Sequence, residues 1–565
     1  MADANEVLGT FFGDQSFPVE WENEEEKRLF WFFDDNHCPR PISPMYWSLN
    51  GWWGPTLDYM YRRFGFPIGK AWIGKRVNGY LYTAIVPREA KSAAMLGPYY
   101  GWIMSTYASN FLDWWNDRYL PEIERNFNYL DTFPTETASL QELMYLLEEA
   151  IDIQERHFRL HWILNLAQFQ SSLDLQAAVG EVVGKVDPIL IGRILISIKD
   201  RNWDSLEALW QLKEKVKADS QLGSIFDIGD TAMAIIPELK KSEKGQAFLA
   251  DVEAYCKEFG VKPSMYTHEY TNKLWVEDPA PAIENIKGYL VADYDFPTEY
   301  QRMVADHNAA IEELKTLVPD TATPEQQEKL NTALELATRM MPLTPDHHFY
   351  MDQGTFARLR LVLMAIGRRM LKEGLLRSVE DIMFLEYDQL RAYVANPTGY
   401  DGQAIIKEAR RAYEKAHQVR PRDWVGTVTH WSMYEEIYHT LWGWPERWER
   451  AQAGEEAVAG VVKGLPAAAG LAEGLARVVI GPEEFNQVQR GEILVCMMTN
   501  PAWVVLFSKI KGAVTDAGGV LSHTAVVSRE FGLPAVVGTV DATARIKTGD
   551  RIRVNGNTGI VEILS

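Results

Sequence analysis

The pattern of apolar and polar positions divides the chain into two unequal parts. Over residues 1–450, apolar residues recur at spacings of three and four, as in LQELMYLLEEAIDIQERHFRLHWILNLAQF, and this predicts long amphipathic helices. The segment Thr323-Pro324-Glu325-Gln326 adds a helix start, with a capping threonine, proline at the first helical position and glutamine three residues after the cap. The first part is therefore predicted to be mainly helical.

One segment of this first part follows a different pattern. KAWIGKRV and YLYTAIV flank Asn78-Gly79, the strongest short signal for a two-residue β-hairpin turn. Gly69 to Lys75 also has the spacing of a phosphate-binding loop, but Arg76 stands where a Ser or Thr would hold magnesium, and no helix is predicted to follow. We therefore predict a small β-hairpin and reject a nucleotide site here.

The pattern of apolar and polar residues changes after residue 450. AGEEAVAGVVKGLPAAAG is rich in small residues and predicts a flexible linker at 451–463. Residues 464–565 then carry short apolar runs such as EILVCM, PAVVGT and RIRVN, separated by Gly, Asp and Asn. The predicted fold class is multidomain: a mostly α N-terminal region at 1–450 with a small β-hairpin part, followed by a C-terminal α/β domain.

Composition excludes several classes of protein. The chain has 565 residues, with 47% apolar and 24% charged residues, which is typical of globular domains rather than of a disordered chain or a fibre. A net charge of −21 repels phosphate backbones and anionic lipid, so no nucleic-acid or membrane partner is expected. An anionic ligand would need a local site.

The remaining compositional signals favour a cytoplasmic protein. Cys38, Cys256 and Cys496 are far apart and form no C-x-x-C pair, so neither a disulfide framework nor a metal site is predicted. The acidic start has no apolar signal region. The uncharged stretch from Ser92 to Leu112 is interrupted by Gly and Pro, which favours a buried helix over a membrane span.

Two groups of titratable residues in the helical part are candidates for chemistry. His157 and His161 lie one helical turn apart, but Phe158 stands where a zinc protease would need glutamate, so structural or pocket histidines are favoured. His347 and His348 follow one another, with Asp352 one turn later. Because imidazole takes up a proton near neutral pH, His348 or His347 is a candidate general base, with a purely structural role as the alternative.

Aromatic residues are concentrated near the front of the chain, between Phe30 and Phe66. A packed core explains them, and so does a pocket for a flat ligand. On the second interpretation, the substrate-binding candidates are Trp47, Trp52, Trp53, His161 and Asp352.

The strongest signal is VTDAGGVLSHTAVVSREFGLPAVVG in the C-terminal domain. A buried strand leads to Gly518-Gly519, which permit a tight turn, and Ser522 can cap a helix running from about His523 to Glu530. His523 would then lie at the positive end of a helix, with free backbone N–H groups nearby. This is a suitable place for a phosphorylated histidine.

At these residues the sequence resembles the phosphohistidine swivelling domain of phosphoenolpyruvate-utilising enzymes, a family that includes phosphoenolpyruvate synthase, rifampin phosphotransferase and phenylphosphate synthase. The resemblance covers Gly464 to the C-terminus and implies that His523 carries the phosphoryl group. Leu521 departs from the dikinases, which have a regulatory threonine there. By the same resemblance, the phosphate cradle consists of Thr515, Gly518, Gly519, Ser522 and Arg529.

A weaker resemblance extends forward to PLTPDHHFYMDQGTFARLR and RPISPMYWSL, which are similar to the helical acceptor region of the rifampin and phenylphosphate branch. This layout implies that Mg²⁺ and ATP are bound by a separate ATP-grasp-type subunit. The implied reaction is phosphoryl transfer from His523 to the hydroxyl of a small aromatic, phenol-like acceptor.

Three alternatives remain open. The chain could be a non-catalytic carrier or docking protein that relays phosphate from His523 to another protein. It could use phosphoenolpyruvate by itself, which is disfavoured because no barrel for that substrate is recognised. A scaffold without chemistry conflicts with the intact sequence around His523.

Overall fold

A computed structural model describes residues 5–35, 37–49, 53–229, 231–263, 268–441, 443–452, 460–480, 482–499, 503–507, 509–518, 522–539 and 541–564. The chain forms two compact units. Unit 1 consists of residues 1–170, 267–272 and 347–437, and unit 2 of residues 171–266, 273–346 and 438–565. Each unit is therefore built from discontinuous segments.

The strands fall into two sheets. In chain order they are β1 (Val7–Phe11), β2 (Phe30–Phe33), β3 (Gly69–Val77), β4 (Tyr80–Pro87), β5 (Trp424–Thr429), β6 (Val461–Lys463), β7 (Leu465–Ala468), β8 (Leu471–Val479), β9 (Ile493–Cys496), β10 (Gly512–Thr515), β11 (Ala535–Val537), β12 (Arg551–Asn555) and β13 (Ile560–Ile563). The first five form one sheet in unit 1, and the other eight form a second sheet in unit 2.

The α-helices account for most of the remaining chain. They are α1 (Glu24–Lys27), α2 (Pro44–Leu49), α3 (Trp53–Phe64), α4 (Ala90–Trp114), α5 (Leu120–Thr132), α6 (Leu140–Val182), α7 (Pro188–Ile194), α8 (Arg201–Ala218), α9 (Ser220–Phe226), α10 (Ala232–Leu239), α11 (Glu243–Phe259), α12 (Ala280–Ala292), α13 (Phe296–Thr316), α14 (Pro324–Met340), α15 (Leu343–His347), α16 (Phe356–Lys372), α17 (Tyr387–Ala395), α18 (Gly402–Ala416), α19 (Ile437–Leu441), α20 (Trp444–Gln452), α21 (Val504–Phe507), α22 (His523–Glu530) and α23 (Ala542–Arg545). Wider π-helical turns follow α4 and α15, at Trp115–Tyr119 and His348–Thr355.

Two predicted elements of the helical part are confirmed. The periodic segment that starts at Leu140 lies in α6. Thr323 caps α14 through a full capping box, in which Gln326 N donates to Thr323 Oγ1 at 3.2 Å and Thr323 N donates to Gln326 Oε1 at 3.0 Å. Local capping chemistry in the sequence thus fixes the helix start.

The predicted hairpin is confirmed, but it belongs to a larger sheet. Strands β3 and β4 pair around Asn78 and Gly79, whose φ angles of 50° and 90° fit the tight turn. The sheet has five strands in the order β1-β5-β2-β4-β3. The β-structure of this part is therefore larger than the predicted two-stranded hairpin. Sequence reasoning missed β5 because it is separated from its partners by more than 300 residues of mainly helical chain.

The segment from Ser92 to Leu112 is helical, as predicted, but the prediction that this helix is buried was wrong. The segment lies in α4, where only Met104, Ala108 and Phe111 are buried. Met95 and Trp102 are largely exposed. Among the residues that the structure describes, none of the helices is long and apolar enough to cross a bilayer.

The C-terminal part of unit 2 is an α/β layer. Its sheet has the order β6-β13-β12-β8-β9-β10-β11-β7, and the central strands β8, β9, β10 and β11 are parallel. β9, β10 and β11 are buried at every position, as the short, wholly apolar runs require. This layer places the carboxyl end of β10 next to the sequence that leads to His523.

The last residues of the predicted linker form a strand. Residues 453–459 lie outside the described part of the chain, but Val461–Lys463 form the edge strand β6, which pairs with β13. Val462 is fully buried between two more exposed neighbours. The alternation of a single buried valine is too short a signal to identify a strand.

Candidate functional site

The structure describes the residues on both sides of the turn that precedes His523, while residues 519–521 of the turn itself lie outside the described part. Strand β10 ends at Thr515, and Gly518 adopts a φ of +106°, which an L side chain rarely adopts. Ser522 is the N-cap of α22, and its Oγ accepts the Ala525 N–H at 3.4 Å. Helix α22 begins at His523 and ends at Glu530, followed by Gly532 with a φ of +62°. The predicted helix and its cap are confirmed.

Hydrogen bonds of Thr515 and Asp516 stabilise the chain that follows β10. The side chain of Thr515 is buried, and its Oγ1 donates to the Ala517 carbonyl at 2.8 Å. Beside it, Asp516 Oδ1 accepts the Thr543 N–H at 3.1 Å and the Thr539 hydroxyl at 3.2 Å. Burial raises the pKa of Asp516, although these hydrogen bonds oppose the shift. The loop before His523 is therefore anchored to the sheet by buried hydrogen bonds.

The helix start supplies positive potential. The first backbone N–H groups of an α-helix have no partner within the helix, and the aligned peptide dipoles favour an anion at that end. Thr524 lies in this first turn, and its hydroxyl is 2.8 Å from the hydroxyl of Thr499 in the segment after β9. The start of α22 is therefore a favourable place for an anion.

A second candidate site lies in unit 1, around Asp352. This residue belongs to the π-helical turn His348–Thr355 and is completely buried. His348 begins the same turn, His347 ends α15, and His161 projects from α6. Four segments meet here, because His268 also reaches the carboxylate.

The four imidazoles surround the two oxygens of Asp352. His161 Nε2 lies 3.1 Å from Oδ1, and His268 Nε2 lies 3.9 Å from the same atom. On the other oxygen, His348 Nδ1 forms a short hydrogen bond with Oδ2, and His347 Nε2 is 3.7 Å away. The side chain of His348 is 40% exposed, whereas that of His347 is only 4% exposed. We call these five residues the histidine cluster.

The electrostatics of the histidine cluster favour an ionised carboxylate. Burial alone would raise the pKa of Asp352, but His161 and His348 outweigh it and hold that pKa well below its usual value. Burial lowers the pKa of His268 well below the ordinary value, and the neighbouring His37 adds to that shift. His268 is therefore neutral near pH 7.

Aromatic rings pack against the histidine cluster. Phe158 stacks on His161 with ring centroids 5.0 Å apart, and Phe356 stacks on His268 at 4.2 Å. Trp162 meets His161 edge to face at 4.6 Å. These rings exclude water from Asp352 and hold the imidazoles in place, while the exposed edge of His348 leaves one side open.

Comparison with curated proteins gives relatives that match nearly all of this chain and relatives that match only part of it. An uncharacterised phosphotransferase of Bacillus subtilis, YvkC, is 26% identical over 95% of this chain and 62% of its own length. Rifampicin phosphotransferase of Bacillus cereus is 28% identical over 59% of this chain and 36% of its own length. A probable phosphoenolpyruvate synthase of Staphylothermus marinus is 48% identical over 18% of this chain and 12% of its own length. The chain thus spans less than two thirds of the length of these relatives.

Two family models locate the similarity. Residues 488–559 match the mobile domain of PEP-utilising enzymes, and residues 200–344 match the fourth domain of rifampicin phosphotransferase. These matches support a relationship to the PEP-utilising enzymes and to rifampicin phosphotransferase. The family resemblance read from the sequence is thereby confirmed, and α22 lies inside the mobile domain.

The predicted phosphate-cradle residues of this domain differ in what the structure describes of them. Gly518, Ser522 and Thr515 shape the turn, as described above. Gly519 and the side chain of His523 lie outside the described part of the structure. The phosphate contacts of these residues stay predictions.

Arg529 lies in the last turn of α22, away from the helix start. Its Nε donates to the Ala467 carbonyl at 2.7 Å, and its guanidinium packs against Gly192. Burial lowers its pKa to about 10, so the group stays charged. Next to it, Phe531 stacks on Tyr294 with centroids 5.5 Å apart. Arg529 and Phe531 thus attach the mobile domain to the helices of unit 2, and a contact between Arg529 and phosphate stays a prediction.

Only some of the candidate residues in the helical part lie close to one another. His161, His347, His348 and Asp352 meet in the histidine cluster, but His157 does not: its Nδ1 is 2.9 Å from Thr355 Oγ1 and its Nε2 is 3.0 Å from Asn126 Nδ2. Trp47 lies beside Arg76 of β3, 5.8 Å from the guanidinium. Trp52 and the side chain of Trp53 lie outside the described residues.

Sequence reasoning missed His268 and the residues behind it. The ring of His37 is 4.8 Å from that of His268, and Asp34 Oδ1 is 2.8 Å from His37 Nδ1. Burial opposes protonation of His37, but Asp34 outweighs it and raises the pKa of His37. Isolated histidines separated by more than 200 residues carry no spacing signal, so only the fold reveals them.

Proposed function

We propose that the chain is a phosphotransferase that carries a phosphoryl group on His523 and passes it to the hydroxyl of a small aromatic acceptor at the histidine cluster. The observation that supports it most is the presence in one chain of two complementary sites. One is a helix start suited to a phosphorylated histidine, and the other is a buried carboxylate that orients a half-exposed histidine.

The first step loads the carrier. On a separate ATP-grasp-type subunit that binds ATP and Mg²⁺, neutral His523 attacks the β-phosphorus of ATP and AMP leaves. Water then removes the terminal phosphate as inorganic phosphate, and one phosphoryl group remains on the imidazole. The backbone N–H groups at the start of α22 stabilise its charge.

The second step discharges the carrier. The acceptor oxygen attacks phosphorus in line with the P–N bond, the bond to His523 breaks, and the electron pair returns to the imidazole. The hydroxyl proton passes to His348 Nε2. Because Nδ1 of His348 is bound to Asp352, the carboxylate fixes the ring and stabilises the imidazolium that forms.

His348 is a better candidate for the base than His347. Its side chain is 40% exposed, whereas His347 is buried against Asp352. A phenol is a favourable acceptor because its pKa of about 10 is far below that of an alkyl alcohol, so less proton transfer is required. Phe158, Phe356 and Trp162 pack against the imidazoles and give the histidine cluster the apolar surroundings that are typical of small-molecule sites.

Labelled ATP tests this proposal. The full chain is mixed with a candidate ATP-grasp subunit, Mg²⁺, phenol and ATP labelled in either the β- or the γ-phosphate. The proposal predicts that β-label reaches phenol and that γ-label becomes inorganic phosphate. Label on the chain that no hydroxyl compound removes would favour the carrier that relays phosphate to another protein. Labelling by ATP in the absence of the second subunit would contradict the partner requirement.

A further inference from the structure

The histidine cluster contains a set of side chains whose chemistry points beyond a base. His161, His347 and Asp352 are all buried, and their ligand atoms lie within 4.8 Å of one another. We infer that these three residues bind one divalent transition-metal ion of the Zn²⁺ class.

Two of the distances are close to those around such an ion, and the three ligand atoms, which lie within 4.8 Å of one another, would have to move closer together when the ion binds. His161 Nε2 is 3.1 Å from Asp352 Oδ1, and His347 Nε2 is 3.7 Å from Asp352 Oδ2. Nitrogen and oxygen ligands at about 2.0–2.2 Å from a tetrahedral Zn²⁺ ion are separated by about 3.3–3.5 Å. Two imidazoles and one carboxylate are also a ligand set found in catalytic zinc sites.

Burial supplies an independent argument. The carboxylate of Asp352 is fully buried, and an isolated buried charge is costly unless an opposite charge or hydrogen bonds compensate it. A divalent cation held by the surrounding imidazoles would place positive charge directly beside this carboxylate. The four surrounding imidazoles offer nitrogen ligands, which suit Zn²⁺, Co²⁺ and Ni²⁺ better than Mg²⁺ or Ca²⁺.

The surroundings hold the ligands in position. Phe158 stacks on the ring of His161, and the Asn165 amide nitrogen lies 3.3 Å from both ring nitrogens of His161. His348 occupies the exposed side of Asp352, so a ligand such as water or a hydroxyl oxygen could approach from there. Three protein ligands with one open position are typical of catalytic rather than structural zinc sites.

The three ligands come from two distant parts of the chain. His347 and Asp352 are near one another in sequence, but His161 lies far before them, so their spacing predicts no metal site from the sequence alone. Metal binding is measured without turnover, so it goes beyond the proposed phosphoryl transfer and can be judged separately. If both hold, the ion would polarise the acceptor hydroxyl next to His348.

Titration of the full chain with Co²⁺, followed by competition with Zn²⁺, tests the inference. After treatment with a chelator, the wild-type chain should bind one equivalent of Co²⁺, with visible absorption bands of low-symmetry N/O coordination that Zn²⁺ removes. Absence of a saturable first equivalent in the folded wild-type chain would overturn the inference, whatever the variants do.

Variants then locate the ion. His347→Gln and His161→Gln should each weaken Co²⁺ affinity by at least about 10-fold. His157→Gln is a matched control, since His157 is buried on the same helix but bonded to Thr355 and Asn126, and it should bind Co²⁺ like the wild type. Circular dichroism checks that each variant is folded. Unchanged affinity in both folded ligand variants would place the ion elsewhere and overturn the inference.

One further variant separates the two proposals. His523→Ala, which removes the proposed carrier, should bind Co²⁺ with the affinity of the wild-type chain. If transfer to phenol fails while one equivalent of Co²⁺ still binds, the metal site stands and the proposed function falls. Weaker Co²⁺ binding by His523→Ala would contradict a site made by His161, His347 and Asp352 alone.

Discussion

The helix start at His523 and the histidine cluster around Asp352 deal with charge in different ways. The first uses backbone N–H groups and a glycine with positive φ, all within one short stretch of chain. The second uses side chains from three distant parts of the chain packed around one buried carboxylate. The first site therefore depends on the local path of the chain, and the second depends on the packing of unit 1.

This contrast predicts that the two sites fail separately. His523→Ala should abolish labelling of the chain and all transfer to the acceptor, because the P–N bond cannot form. The histidine cluster should be unaffected, so acceptor binding should remain nearly unchanged. Radiolabel on the chain and equilibrium binding of phenol measure the two effects. Turnover by the alanine variant would remove the mechanism.

Substitution in the histidine cluster should give the opposite result. His348→Gln should leave labelling of His523 intact and slow transfer to the acceptor by about 10²–10⁴-fold, the usual contribution of a general base. Single-turnover discharge of the labelled chain measures that step. His347→Gln should slow it less, because His347 is buried. Unchanged discharge in both variants would move the base elsewhere.

The glycine turn allows a finer test of the backbone site. An alanine at Gly518 would need a φ of +106° and would place its Cβ 2.8 Å from Ser522, the cap of α22. We expect Gly518→Ala to lower the free energy of unfolding by about 1–3 kcal/mol and to slow labelling of His523. Urea unfolding and the rate of labelling measure the two effects.

Gly549→Ala is the matched control for that substitution. Gly549 has a φ of +95° in the same domain, but nothing lies within 4 Å of an added Cβ. It should therefore share the backbone strain without displacing Ser522. If Gly549→Ala slows labelling as much as Gly518→Ala does, the turn before His523 has no special role.

The last expected effect is a pH dependence of stability that comes from unit 1 and does not involve either site directly. Burial, with smaller contributions from Arg156 and Arg358, lowers the pKa of His157 to about 3, whereas an unfolded histidine titrates near about 6.5. Below pH 6.5 the unfolded chain therefore binds a proton that the folded chain does not. The stability that depends on neutral His157 is complete above that pH and falls, by up to about 1.4 kcal/mol per unit, toward pH 3.

His157→Gln should make unfolding less sensitive to acid. Urea unfolding of the full chain at several pH values from about 7 to 5 measures the slope. His417→Gln is a suitable control, since that histidine is exposed and bonded only locally to the Tyr413 carbonyl. An equal slope in the wild type and His157→Gln would contradict the lowered pKa.

The difference between the sites also explains what the sequence could predict. Strand β10, Gly518, Ser522 and helix α22 are consecutive, and their turn and capping chemistry is local, so their order and bounds could be predicted. The hairpin around Asn78-Gly79 was predictable for the same reason. Local backbone preferences act through neighbouring residues, which are visible in the sequence.

Elements that depend on distant packing could not be predicted. Strand β5 pairs with β2, although the two strands are far apart in sequence. His268 contacts Asp352 from a short segment that lies between stretches of unit 2 in the sequence but packs within unit 1. His347, His348 and Asp352 were recognised as candidates because they are neighbours in sequence, but their contact with His161 required the fold. Burial of α4 was overestimated because an apolar composition does not fix exposure.

The most direct test of the account is to identify the phosphorylated residue and follow its discharge. The chain is labelled by the ATP-grasp subunit with Mg²⁺ and ATP, digested at alkaline pH, where phosphohistidine is stable, and mapped by mass spectrometry before and after addition of phenol. The account predicts one phosphoryl group on the peptide containing His523, lost to phenol within one turnover. Phosphate on another residue, or phosphate on His523 that no acceptor removes, would contradict it.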